Sequence, residues 1–181
     1  MPKVYTGDLT KMFDISGKKA MIFGGAGGFG EAIAAGYAAN GCSVCISSRS
    51  EEKLKAAKAK IEAAAAPGVK VMYVAGDAGD EEFVKKALAE VTGPDGLGGC
   101  DILVNAQGIN KKMWSWEIDT DFFEKMLHTN ITSLMLTCKY FGNWMKSNNV
   151  EGAEMIPAEK FEAGKCNPNQ GYGKIINFGS V

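Results

Sequence analysis

The segment from Lys19 to Asn40 constrains the fold more than any other. A short apolar run, Lys19-Ala-Met-Ile-Phe23, passes without a linker into Gly24-Gly-Ala-Gly-Gly-Phe-Gly30, and an alanine-rich stretch with helical spacing follows from Glu31 to Asn40. Five apolar-rich residues are strand length, and glycines permit a tight turn. Ile33 and Tyr37, four apart, mark one helical face, and Gly41 occupies the usual glycine position after a helix C-terminus. A strand, a glycine turn and a helix in this order set backbone N–H groups and the positive end of the helix dipole beside the turn. That arrangement suits a phosphate.

The alternation of strand and helix continues along the chain. Residues 43–47 read as a second strand, 51–66 as a lysine- and alanine-rich helix stopped by Pro67-Gly68, and 69–75 as a third strand. Residues 80–91 read as a helix with two glutamates in its first turn, where the dipole favours them. The glycine-rich turn 93–99 leads to a fourth strand at 102–105, and 174–178 form a fifth. The longest helical pattern covers 119–146. Phe123, Leu127, Ile131, Met135 and Cys138 recur at steps of four or three as one apolar face, widened by Phe122, Leu134, Tyr140 and Trp144. A helix so widely apolar is expected to be deeply buried or packed against a partner subunit. Residues 147–173, with two prolines and several Asn and Gly, read as a surface insertion. The pattern predicts an α/β class chain: one domain over 1–181, a doubly wound parallel sheet with helices on both faces.

Composition narrows the functional classes. Twenty basic and 21 acidic residues leave a net charge of -1, so no basic face for nucleic acid or anionic membrane is expected. No run reaches the ~18–20 apolar residues of a membrane-spanning helix, and the N-terminus lacks the apolar stretch of a secretory signal. A soluble cytoplasmic protein is expected. Among the five cysteines, Cys42 and Cys45 form a C-x-x-C. Residues three apart on a strand point to opposite faces, and no second Cys or His pair completes a zinc site, so inert core thiols and no metal are expected.

The spacing Gly24-x-x-x-Gly28-x-Gly30 resembles the G-x-x-x-G-x-G turn of the short-chain dehydrogenases/reductases, with Phe23 where that family usually has threonine. The resemblance recurs in order. Phe13-Asp-Ile-Ser-Gly-Lys18 is similar to the lead-in to the first strand, and Asp77 matches the aspartate after the third. Asn105-Ala-Gln-Gly108 resembles the N-N-A-G signature, Asn130 the helix asparagine, and Asn177-Phe-Gly-Ser-Val181 the end of the fifth strand. The resemblance implies a Rossmann domain for a dinucleotide. Gly24, Gly27, Gly28, Phe29 and Gly30 would meet the pyrophosphate, Asp77 and Ala78 the adenine, and Asn105, Ala106 and Gly108 the cofactor from the fourth strand. After the second strand the chain reads Ser47-Ser48-Arg49, with no carboxylate before Glu51. An NAD site places an acid there for the ribose diol, whereas Ser48 and Arg49 suit a 2′-phosphate. NADP(H) is expected, with NAD(H) the alternative.

The implied reaction is hydride transfer between the nicotinamide and a carbonyl/alcohol pair. Ser180 falls on the family's catalytic serine, and Asn130 on the asparagine that helps anchor a proton-relay water. The family's Tyr-x-x-x-Lys pair is absent from the chain: none of the five tyrosines has a lysine four residues on. The pair is expected shortly beyond Val181, which makes the chain an N-terminal portion, truncated after the fifth strand. His128, the only histidine, has no family role and reads as a helix-surface or packing residue. Trp114 and Trp116 either line a substrate pocket or pack their loop. Residues 171–180 and Ile109-Asn-Lys-Lys112 are similar to gluconate-type dehydrogenases, which points to a sugar, sugar acid or polyol as the small-molecule substrate. A 3-oxoacyl carrier-protein reductase is the alternative enzyme, and a catalytically inactive nucleotide-binding or interaction module the alternative of another class. The resemblance also implies a homo-oligomer, a tetramer, built partly on helix 119–146.

Overall fold

A computed structural model describes residues 13–149 and 173–179. Five parallel strands, β1 (Lys19–Phe23), β2 (Ser43–Ser48), β3 (Val71–Ala75), β4 (Ile102–Asn105) and β5 (Lys174–Asn177), lie side by side in the order β3-β2-β1-β4-β5. Between them run α1 (Gly28–Ala39), α2 (Glu51–Ala64), α3 (Glu81–Thr92) and a long helix, α4, over residues 120–148. This is the doubly wound, Rossmann-like sheet the sequence predicts. The chain first winds from β1 outward to β3, then crosses back to lay β4 against the other side of β1.

Alternation along each strand builds two cores. Ala20, Ile22, Val44, Ile46, Ile102 and Val104 face α1 and α2, meeting Ala34, Ala38, Leu54 and Ile61. Met21, Phe23, Cys45, Val74 and Leu103 face α3 and α4, meeting Val84, Leu88, Phe141 and Trp144. The side chains of β1, β2 and β4 are buried almost throughout, as expected of a parallel sheet covered on both sides. Each large apolar side chain hidden in this way stabilises the fold by roughly 1.5–3 kcal/mol. The face α1 turns to the sheet carries only Gly30, Ala34 and Ala38, so the helix lies close to β1. At the far edge β5 is exposed along its length, with Ile175, Ile176 and Phe178 each about two-fifths accessible.

Of the two alternatives for the apolar stripe of α4, burial is not what the fold shows: Phe123, Leu127, Ile131 and Met135 are all exposed. The sheet side carries Thr129, Ser133, Leu136, Thr137, Phe141 and Trp144 instead. Spacing finds an apolar face without saying which of two the sheet will take, and here hydroxyls on the sheet side meet polar atoms at the end of β4. Moreover α4 is not uniform. It widens into π turns at His128–Thr132 and Cys138–Gly142, where the backbone carries one residue more per turn. The helix runs to Asn148, and the inferred insertion lies, over residues 150–172, outside the described residues. None of the described helices is long and apolar enough to cross a membrane.

The cysteines of the C-x-x-C diverge as strand geometry requires. Cys42 joins the core under α1 and α2, and Cys45 the core under α3 and α4. Burial pushes the Cys42 and Cys100 thiols up from an ordinary value of 9.0 to about 12, and raises Cys45 as well. The folded chain therefore holds these protons to higher pH than the unfolded chain does. Their contribution to stability is complete below the unfolded thiol value of 9.0 and is lost as pH rises from there through about 12. The urea midpoint should fall between about pH 8 and pH 10.5, and less steeply in a Cys45→Ala/Cys100→Ala variant. An identical slope in that variant would show that these two thiols do not carry the effect.

Candidate functional site

The winding direction reverses between β1 and β4, and in sheets of this kind a crevice opens at the carboxyl ends of the strands there. Gly24 makes the crevice possible. Its φ of 76° lies in the left-handed region, and a Cβ on it would stand 2.6 Å from the carbonyl carbon and oxygen of Ala106 and the nitrogen of Gln107. The turns after β1 and β4 thus touch backbone to backbone. Gly30 is needed for a similar reason, since a Cβ there would strike the Gly24 carbonyl. Gly28 differs: nothing lies within 4 Å of where its Cβ would be. The packing does not require glycine there, whereas a ligand approaching the backbone would.

The N-terminus of α1 is left open. The other helices close theirs with their own side chains: Ser50 accepts from the Lys53 N–H, Asp80 from Glu82 and Asp119 from Phe122. The cap of α1 is Gly27, which has no side chain to offer, so the first-turn N–H groups remain available to an anion. The helix begins at Gly28, three residues before the alanine-rich pattern indicates, because the glycines themselves enter the first turn.

Beside this open end lies a cleft of about 350 Å³. Its walls come from the carboxyl ends of β1 to β4 and from α4. They bring together Gly24, Gly27, Ser48, Arg49, Asp77, Ala78, Ala106 and Gly108 of the residues singled out in the sequence. Gly28, Phe29 and Gly30 lie at the start of α1, outside the lining, and Phe29 stacks on Phe178 with ring centroids 6.0 Å apart. Asp77 accepts the Gly79 N–H at 2.9 Å, which sets the carboxylate at the β3 turn. Arg49 and Lys53 both line the cleft, and neither is paired with a carboxylate among the described residues. The nearest acid in sequence, Glu51, is held by Lys55 at 2.9 Å and by the Tyr73 hydroxyl at 3.2 Å. The Lys55 ammonium keeps the Glu51 carboxyl below its usual value. Lys53 escaped the sequence reading because it lies four residues past Arg49, and only the first turn of α2 brings it back.

At the β4 end, two amide networks tie the turn to α4. Asn105 is buried and donates to Asn177 Oδ1 at 2.8 Å, while its own Oδ1 accepts from Thr137 at 2.8 Å. It joins β4, β5 and α4, and does not itself line the cleft. Asn130 sits in the first π turn. Its Oδ1 accepts the Ile109 N–H at 2.9 Å and its Nδ2 donates to the Ile109 carbonyl at 3.0 Å, a two-point clamp on the turn after β4. Gln107 donates through Nε2 to Ser133 Oγ at 3.0 Å, and Ser133 donates to the Thr129 carbonyl.

Two polar atoms of the cleft wall stand out. Ser47 Oγ and Gln107 Oε1 are buried without a hydrogen bond among the described residues. An unsatisfied buried polar group costs about 1–3 kcal/mol, so both sites fit a bound molecule that carries polar groups of its own. Phe23, in the place of the family's threonine, is buried and packs edge-on against Phe141 at 5.6 Å. His128 is exposed and lies over Gly79, where any side chain would run into its imidazole. Trp114 and Trp116 are exposed and stack on each other at 5.1 Å. Ser180 lies outside the described residues. Among the described residues no group of three or more His, Cys, Asp or Glu is placed to hold a metal.

Comparison with known proteins points to one family. The profile of the short chain dehydrogenase family matches residues 18–154. Glucose 1-dehydrogenase of Gluconobacter oxydans is 30% identical over 141 residues, which is 78% of this chain and 52% of that protein. Gluconate 5-dehydrogenase of the same organism is 26% identical over 170 residues, 94% of this chain and 56% of that protein. A solved short chain dehydrogenase of Burkholderia cenocepacia, in complex with NADP, superposes with a TM-score of 0.61 at 32% identity, covering 68% of this chain and 49% of that one. The chain spans about half the length of the curated relatives it matches.

The two glycine roles separate experimentally. Gly24→Ala should lower Tm sharply, because it strains φ and drives a Cβ into the β4 turn, a cost of at least ~1–3 kcal/mol. Gly28→Ala should leave Tm unchanged or raised and weaken dinucleotide binding measured by calorimetry. A Gly28→Ala protein with wild-type affinity would remove the ligand argument for that glycine.

Proposed function

The chain belongs to the short-chain dehydrogenase family, and from that premise we propose that its cleft binds NADP(H) for reversible reduction of a carbonyl group on a sugar, sugar acid or polyol. The observation that carries the cofactor reading is an open α1 N-terminus beside two cations with no carboxylate partner among the described residues, Arg49 after β2 and Lys53 in the first turn of α2. A 2′-phosphate is the part of NADP that calls for them: guanidinium and ammonium groups each form charge-assisted hydrogen bonds to phosphate oxygens. A nicotinamide dinucleotide supplies or accepts the hydride when bound. The chain's own residues bind and orient it.

In this reading the N–H groups at the start of α1 hold the pyrophosphate, with Gly24 and Gly28 allowing close approach. Ser48, Arg49 and Lys53 hold the 2′-phosphate, and Ala78 and the Asp77 carboxylate border the adenine. Ser180 holds the substrate oxygen, and the π turn fixed by the Asn130–Ile109 clamp helps to anchor a proton-relay water. The sugar-type substrate is supported by the similarity to glucose 1-dehydrogenase and gluconate 5-dehydrogenase. A soluble cytoplasmic enzyme suits the near-neutral charge.

The reading extends to assembly. Phe123, Leu127, Ile131 and Met135 form an exposed stripe at steps of four along α4, with Ile131 62% accessible. A second copy of the chain packed helix against helix would cover it.

Three measurements test these statements. Arg49→Ala should weaken NADP+ binding by about 10- to 100-fold and NAD+ binding hardly at all, the share of a charge-assisted contact. Equal losses for both dinucleotides would sink the NADP assignment. A screen of sugars, sugar acids, ketones and acyl thioesters on the full-length protein should find turnover among the first two. Exclusive activity on acyl thioesters would transfer the protein to the 3-oxoacyl reductase reading, and no turnover with intact cofactor binding to the inactive module. Ile131→Glu should lower the sedimentation coefficient of the full-length protein, and an unchanged oligomer would clear the stripe of that role.

A further inference from the structure

Gln107 departs from the family signature, whose corresponding turn position carries alanine, and the structure shows what the longer side chain does. Its amide has one end anchored and the other idle. The orientation follows from proton bookkeeping. Ser133 has a single hydroxyl proton, and it goes to the Thr129 carbonyl at 2.5 Å. Ser133 Oγ can then only accept, so the group facing it at 3.0 Å must be the Gln107 NH2. The amide oxygen is left buried, without a partner among the described residues, in a side chain that lines the cleft.

An acceptor held rigidly in that state is built for a donor that arrives with a ligand. We propose that Gln107 is a cofactor-binding residue, its Oε1 accepting a hydrogen bond from an N–H or O–H of the dinucleotide in the cleft. The inference rests on reading the cleft as a dinucleotide site. The anchor also matters: the amide is tied through Ser133 to the carbonyl of Thr129, in the same π turn that carries Asn130. Ligand contact and the clamp on Ile109 therefore share one short segment of α4.

The experiment is the dissociation constant for NADP+ by calorimetry on the full-length protein, compared with Gln107→Ala and Gln107→Met, alongside Tm of the ligand-free proteins. Alanine is what the family carries in this turn, and methionine keeps the length of the side chain without the acceptor. Both variants should bind NADP+ about 3- to 10-fold more weakly, the share of one neutral hydrogen bond. Their ligand-free Tm should change little, because the loss of the Nε2–Ser133 hydrogen bond is offset by the removal of a buried acceptor that the empty protein leaves unpaired. A purely structural glutamine would behave the other way, with lowered Tm and unchanged affinity. Wild-type binding with unaffected affinity in both variants overturns this proposal alone. Failure of the wild-type protein to bind NADP+ overturns the cleft reading and the proposal together.

Discussion

The close approach of two backbone turns, after β1 and after β4, is the constraint on which the rest of the structure depends. Parallel strands join through crossovers, so β1 and β4 become neighbours only after the chain has wound outward and come back. Their carboxyl ends then need to meet without side chains between them. Gly24 meets that need by having no Cβ where Ala106 and Gln107 pass at contact distance. With a larger residue the turns would separate, the cleft would lose one wall, and the first turn of α1 would no longer face it.

A second layer of constraint holds the β4 turn in place from the other side. Asn105 reaches to β5 and to Thr137, Asn130 clamps Ile109, and Gln107 leans on Ser133. Apart from the Asn105–Asn177 bond, these ties end on α4, which explains the unusual inner face of that helix. Threonine and serine occupy positions where an ordinary core helix would place leucine, because their hydroxyls satisfy amides and carbonyls that cannot reach water. The π turn at His128–Thr132 belongs to the same arrangement, since it is the segment that carries Asn130 toward the turn.

Electrostatics complete the site. Glu51 of α2 is engaged by Lys55 and Glu81 of α3 by Lys139 and Tyr140, while Arg49 and Lys53 have no carboxylate partners among the described residues. Combined with an uncapped α1, this gathers two cations and open helix N–H groups along a cleft whose one lining carboxylate is Asp77, though the chain as a whole is nearly neutral. The charge that matters for binding is local, and overall composition does not reveal it.

Much of this was legible in the amino-acid sequence because it depends on near neighbours. Strand length, helix spacing and the run from Gly24 to Gly30 are local properties. They sufficed for the five parallel strands, the open helix start, the paired turn positions Ser48 and Arg49, and the divergence of Cys42 from Cys45. What only the tertiary structure decided involves residues far apart. Lys53 joins Arg49 through a helical turn, and the Phe123–Met135 stripe proves to be the outer face of α4. Asn105 bonds Asn177 across 72 positions, and Gln107 finds Ser133 across 26. Periodicity identifies an apolar face but not what lies against it, and a lone amide in a sequence carries no sign of which end will be satisfied. Those outcomes are set when the sheet brings distant segments to a few ångströms and burial makes every unpaired polar atom costly.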